Sequence, residues 1–268
     1  MSTRILHVSD LHFGARNAFP EPRSETALAE LVASVRPALV IASGDLTHRG
    51  TASQHHGAAA FLRGLDAPIL AVPGNHDLPH TVPARFTHPW REFEREWQTT
   101  EPVFASPDLH VVGLNSVRPW HHQSGGLRDE QLDEAARRLA TAAPGALRVV
   151  TFHHQLANAP WRTRKRPLAR RSHVLARLAA SGAELIVGGH VHQVSVAERH
   201  EFSVLAAEAR SVVVATAPGF SRPRPGRLGE AQGLLVYTVD PASLAVETYV
   251  RRDEGWTATA TRTFPRAR

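Results

Sequence analysis

The feature that most constrains this chain is a recurring arrangement: short apolar runs that each stop on a carboxylate, an amide or an imidazole. Ile5–Ser9 leads into Asp10-Leu11-His12, and Ala38–Ser43 into Gly44-Asp45. Ile69–Val72 leads into Gly74-Asn75-His76-Asp77, Leu147–Phe152 into His153-His154, and Glu184–Val187 into Gly188-Gly189-His190-Val191-His192. Such runs read as buried strands. Leu109–Leu114 is a further strand of this kind, and helical patterns are predicted near Glu25–Val35, Ala52–Leu65, Trp90–Trp97, Asp129–Thr141 and His173–Ser181. Strand and helix in alternation, with short turns, argue for βαβ units and helices on the sheet faces. The class is α/β.

From about residue 194 the pattern changes. Ser211–Thr216, Gly233–Val239 and Leu244–Arg251 read as strands without intervening helices, which predicts antiparallel additions. The segment 217–233 reads as a surface loop between strands. Without a linker to mark a boundary, one domain over residues 1–268 is expected, as a mixed sheet or two stacked sheets.

Ligands of open α/β sheets gather beyond the carboxyl ends of the parallel strands, which is where the five clusters fall. In extended backbone, positions i and i+2 share a side, so Asp10 and His12 are expected to project together. Any one cluster is an ordinary turn. Five such strand ends point to donors converging on a cation. The chain has 17 histidines and no cysteine, which excludes thiolate ligands, disulfides and a cysteine nucleophile. A formal charge of +6 suits an anionic partner such as a phosphate ester, nucleotide or nucleic acid. No apolar run approaches the roughly 20 residues a membrane helix needs. The amino terminus enters a strand without a signal pattern, so a cytoplasmic protein with no membrane partner is expected.

Asp10-x-His12, Gly44-Asp45, Gly74-Asn75-His76-Asp77, His153 and Gly189-His190-x-His192, in that order over residues 4–192, resemble the calcineurin-like metallophosphoesterase superfamily. The resemblance implies a four-layer α-β-β-α sandwich of two mixed sheets flanked by helices, completed by the strands after about residue 194. It implies two metal ions. Asp10, His12, Asp45 and His192 would bind the first, and Asp45, Asn75, His153 and His190 the second, with Asp45 as the bridge. Carboxylate, imidazole and amide ligands suit Mn²⁺, Fe²⁺/Fe³⁺, Zn²⁺ or Co²⁺ better than Mg²⁺ or Ca²⁺ alone. A hydroxide generated on the ions would attack phosphorus directly. His76 would sit near the leaving oxygen as general acid or charge stabiliser.

Two departures narrow the branch. His48 stands where the protein-phosphatase branch carries an aspartate, which argues against a Ser/Thr protein phosphatase. Gln155 and Leu156 follow the histidine pair where many small bacterial phosphodiesterases of the superfamily have two prolines, which leaves the substrate class open. The chain still looks closest to the bacterial cyclic-nucleotide and glycerophosphodiester phosphodiesterase branch. A small phosphodiester, such as a cyclic nucleotide, is therefore the expected substrate. The alternatives are a nuclease or phosphomonoesterase of the same superfamily, or a non-catalytic scaffold on this fold; the oligomeric state is not specified. For substrate contacts the candidates are His154, Arg162 and Arg118. Arg162 lies in the basic segment 155–171, a candidate lid with Trp161 and Lys165, and Arg118 in the segment 115–126 with Trp120, His121 and His122.

Overall fold

The structure is a computed structural model that describes residues 2–15, 22–121, 123–202, 209–224, 226–252 and 255–266; His122 lies outside them. Two six-stranded mixed sheets stack face to face. In the first, β1 (Thr3–Val8), β2 (Leu39–Ala42) and β3 (Ile69–Ala71) run parallel. On the far side of β1, β10 (Gly233–Val239), β11 (Ser243–Arg252) and β12 (Gly255–Pro265) add on antiparallel. The second sheet has the order β4-β5-β6-β7-β9-β8. Its parallel centre is β5 (Leu109–Gly113), β6 (Leu147–Thr151), β7 (Leu185–Gly188) and β9 (Ala209–Thr216), edged by antiparallel β4 (Val103–Ala105) and β8 (Ser195–Phe202).

Both faces of the parallel strands are covered, which is why they read as continuous apolar runs. Ile5, Leu39 and Ile41 face the other sheet and meet Val111, Val149 and Val187. Their neighbours Leu6, Val40 and Ala42 face outward onto helices α1 (Pro22–Val35), α2 (Ala52–Arg63) and α4 (Arg91–Trp97) through Leu28, Leu62 and Phe93. On the opposite side, Val112, Val150 and Ile186 pack against α5 (Asp129–Ala140) and α6 (Arg171–Ala180) through Leu132, Leu139 and Leu178. The layers are thus α-β-β-α, as the resemblance implied. A single turn, α3 (Ala84–Thr87), precedes α4. Among the described residues no helix is long and apolar enough to cross a membrane.

Three expectations need correcting. The strand at 211–216 joins the second sheet parallel to β7, because the chain first turns back through β8, whose polar sequence SVAERHEF masks it. β12 was not expected either, since its Thr- and Ala-rich face lies in solvent and carries no apolar signal. Finally, residues 217–221 are buried, and only the later part of the 217–233 segment lies at the surface. The amide of Phe220 donates to the Ser9 carbonyl at 2.8 Å, so this stretch runs beneath the end of β1.

Candidate metal centre

The carboxyl ends of β1, β2 and β3 meet those of β6 and β7, and the ligand-type residues of both sheets converge there. The backbone gets them there by left-handed turns. Asp10, His12, Asp45, His190 and His192 have φ of 58°, 48°, 51°, 74° and 59°. Non-glycine residues in that region cost about 1–3 kcal/mol each and cluster at functional sites. Asp10 and His12 therefore come together through two bends, and not by the extended spacing expected from the sequence. Hydrogen bonds hold these bends: the amides of Asp10 and His12 donate to the carbonyls of Gly44 and Asp45, both at 2.9 Å. Two glycines leave room for the carboxylates. A Cβ on Gly189 would lie 2.6 Å from Asp10 Oδ2, and one on Gly74 would lie 2.3 Å from Asp45 Oδ1.

Two buried groups result, each with donor atoms within 4.8 Å of one another: Asp10, His12 and His192, and Asp45, His153 and His190. Asp10 Oδ1 lies 3.0 Å from His192 Nε2 and 3.8 Å from His12 Nε2. Asp45 stands between the groups, with Oδ1 3.3 Å from His153 Nε2 and Oδ2 3.8 Å from His12 Nε2. The other contacts fix which atoms face inward. Asp10 Oδ2 accepts from Ser9 Oγ at 2.7 Å and from the His190 amide at 2.9 Å, while Asp45 Oδ1 accepts from the His76 amide at 2.8 Å. His153 Nδ1 donates to the Ser43 carbonyl at 2.9 Å, which leaves Nε2 turned to the centre. Asp10 Oδ1, Asp45 Oδ2, Asn75 Oδ1 and His190 Nε2 are buried with no hydrogen-bond partner.

The residues fit a metal site. Buried polar atoms without partners cost about 1–3 kcal/mol each, and more when charged, and here the two carboxylates and Asn75 each bring one to the same place. Burial works against charge on Asp10, but the His192 and His153 imidazoles hold its carboxyl well below the usual range. Burial opposes Asp45 likewise, and His153 and His76 keep it ionised. Burial pushes His12 down to about 3 and His190 well below the ordinary imidazole value. Against burial, Asp45 holds His153 up to about 9. Bound cations would neutralise the two buried carboxylates.

His76 lies beside the cage. Its ring meets His12 edge-on at 4.7 Å and stacks on His48 at 5.6 Å. Nδ1 donates to the His48 carbonyl at 2.9 Å, leaving Nε2 free. His154 is buried behind the cage: Nδ1 bonds Ser116 Oγ at 2.9 Å, and the ring packs 4.6 Å from His190. Arg118 lines a cavity of about 450 Å³ with Glu101, Trp120 and Arg128, whose walls include no cage residue. Arg162 lines another, of about 380 Å³, beside Gln193.

Sequence reasoning missed the residues that brace these ligands. Asp77 accepts from the amides of Thr47 at 2.8 Å and Gly74 at 2.8 Å, tying the Asp45 loop to the Asn75 loop. His7, buried between the sheets, bridges Tyr237 Oη at 3.0 Å and Ser43 Oγ at 2.9 Å, and Ser43 in turn anchors His153. A histidine at an inward position of an apolar strand was the available signal for His7. Lys165 Nζ donates to the His190 carbonyl, which a basic loop sequence does not reveal.

The family model for calcineurin-like phosphoesterases matches residues 3–194. The chain belongs to that family. A probable cyclic nucleotide phosphodiesterase of Synechococcus sp. is 28% identical over 160 residues, 58% of each chain. A probable glycerophosphodiester phosphodiesterase of Arcobacter nitrofigilis is 27% identical over 136 residues, 48% of each. The matched regions thus span about half the length of these curated relatives. Among solved structures, a dimetal phosphatase from Danio rerio shares the fold, with a TM-score of 0.65, 13% identity and 98% of each chain covered. The family is one of phosphoesterases, and candidate histidine and aspartate ligands for a metal are in place in this chain.

Proposed function

We propose that this phosphoesterase is a dinuclear metal-dependent phosphodiesterase acting on small phosphodiesters. The observation that carries the reading is that Asp10 Oδ1, Asp45 Oδ2 and Asn75 Oδ1 lie buried without partners beside two buried His/Asp groups, one of which includes Asp45. Asp10, His12, Asp45 and His192 would hold one ion, and Asp45, Asn75, His153 and His190 the other; Mn²⁺, Fe²⁺/Fe³⁺, Zn²⁺ and Co²⁺ suit this donor set. When bound, such ions supply Lewis acidity to the phosphoryl group and to the attacking water.

The chain's own residues do the rest. Ser43 and Ser9 orient His153 and Asp10 through hydrogen bonds. His76 keeps Nδ1 on the His48 carbonyl and offers Nε2 to the leaving oxygen, either donating a proton or stabilising its charge. No side chain need attack phosphorus. Ligands from both sheets meet in one cage, which supports reading residues 1–268 as one domain. The phosphodiesterase names of the relatives favour diesters over monoesters. The retained acceptor set favours an enzyme over a scaffold.

The test is hydrolysis of bis(p-nitrophenyl) phosphate, p-nitrophenyl phosphate and cyclic AMP by Mn²⁺-loaded protein. Faster turnover of the diesters than of the monoester is expected. Turnover of none of them by fully loaded protein would overturn the reading.

A further inference from the structure

The cavity that contains Arg162 joins two segments far apart in sequence. Its walls bring Arg162, Arg164 and Lys165 together with Arg224 and Arg227, against the single carboxylate of Glu230. Arg224 takes that carboxylate in a two-point pair, Nη2 to Oε1 at 2.5 Å and Nε to Oε2 at 3.2 Å. Among the described residues, Arg162, Arg164 and Arg227 then have no ion-pair partner. Cations gathered around one cavity repel one another and raise the local concentration of anions.

No cage residue lines the cavity, but its segments are tied by hydrogen bonds to the stretch that carries two of them. Lys165 Nζ donates to the carbonyl of His190. The amide of Trp161 donates to Gln193 Oε1 at 2.9 Å, and Gln193 Nε2 donates to the Leu228 carbonyl at 3.3 Å. Gln193 directly follows His192, so both loops are pinned to the segment that carries two cage histidines. Trp161 and Leu228 stand by this opening with 56% and 72% of their surface exposed. Trp161 lies flush against Gly229, where an added Cβ would fall 2.0 Å from its ring.

We infer that this cavity binds a second phosphate, carried on one arm of the phosphodiester whose central phosphate lies at the cage. The inference rests on the phosphodiesterase reading and names its substrate class: diesters with a further phosphomonoester, such as nucleotides phosphorylated at a second hydroxyl. Guanidinium forks match phosphate oxygens in planar, two-point geometry, which a neutral arm cannot use. Trp161 and Leu228 offer apolar cover to the part of the arm between the two phosphates. A volume of about 380 Å³ falls within the usual range for small-molecule sites.

The test compares two chromogenic esters that differ by one phosphate: thymidine 5′-(p-nitrophenyl phosphate) and its 3′-phosphorylated form. The preference is the ratio of their kcat/KM values. The wild-type ratio is expected to favour the 3′-phosphate by at least about tenfold, the worth of a charged hydrogen bond or two, and to shrink as NaCl is raised. In an Arg162→Ala, Arg227→Ala double variant it should fall toward one; because it is read within each protein, any general loss of activity divides out. A wild-type ratio near one, or a ratio that the double variant leaves intact, would overturn the inference. Bis(p-nitrophenyl) phosphate, which has no such arm, separates the two failures. Its hydrolysis with a flat ratio contradicts the second-phosphate site alone, and its inertness contradicts the phosphodiesterase reading.

Discussion

The two halves of the cage are built to different standards. In the half made by Asp45, Asn75, His153 and His190, the two histidines are wholly buried, and the Ser43 carbonyl fixes the tautomer and orientation of His153. In the half made by Asp10, His12 and His192, the histidines keep 8% and 3% of their surface. Each half brings its two imidazoles to 3.2 Å and has one ring nitrogen without a partner, His12 Nδ1 or His190 Nε2, so the difference rests on burial and on the brace behind His153. Partners on the non-ligating nitrogen orient a metal-binding histidine and strengthen its hold, and losing one costs about 10–100-fold in affinity or activity. The inner half should therefore bind its ion more tightly, and the outer half should exchange first. Asp45 has one oxygen 3.3 Å from His153 and the other 3.8 Å from His12, which is why it is proposed as the bridge between the halves.

Removing the shared carboxylate should do most damage. Asp45→Asn is expected to lose both ions and to lower kcat/KM for bis(p-nitrophenyl) phosphate by about a thousandfold or more. Full occupancy in that variant would separate the halves. His76→Ala should keep both ions and lose about a hundredfold in kcat, at the low end for a proton-transferring group. If elemental analysis shows ions missing from it, His76 belongs to the cage itself. Next, after dialysis against a weak chelator, His12→Ala should retain one ion per chain, whereas His153→Ala should retain none, because the ion left to it is the one that exchanges first; stoichiometry from mass spectrometry of native protein checks both. Equal losses would mean that the halves do not differ.

The smallest effect concerns the brace behind the inner half. Burial pushes His7 down to about 3 from an ordinary value of 6.5. Between those values the unfolded chain binds a proton that the folded chain does not. The stability due to a neutral His7 is complete above pH 6.5, and falls as pH drops toward 3, by up to about 1.4 kcal/mol per pH unit. From pH 7 to pH 5, wild type should lose about 2 kcal/mol more than His7→Gln, as read by urea denaturation at the two pH values. Parallel losses would show that His7 does not contribute.

The same contrast explains what was legible in the sequence. The ligand-type residues all sit at ends of apolar strands, where a strand pattern and a donor are read together. Asp10, His12, Asp45, Asn75, His153, His190 and His192 could be gathered from one dimension for that reason. The braces could not. Asp77 and Ser43 act through backbone amides and carbonyls of distant loops, and His7 acts across the gap between sheets. Lys165 acts through a carbonyl brought near by folding. Edge strands escaped for a related reason: β8 and β12 carry polar residues, so they lack the apolar signal that marked the centre. The left-handed bends at Asp10 and His12 were invisible because neither residue is a glycine.

The central claim, that Asp45 joins two cation sites in one cage, is tested most directly by titrating metal-free protein with Mn²⁺. Bound metal and hydrolysis of bis(p-nitrophenyl) phosphate are followed together. Two ions per chain are predicted at full activity, the first binding more tightly and the second bringing most of the turnover. Maximal turnover at one ion per chain, or with none, would contradict it.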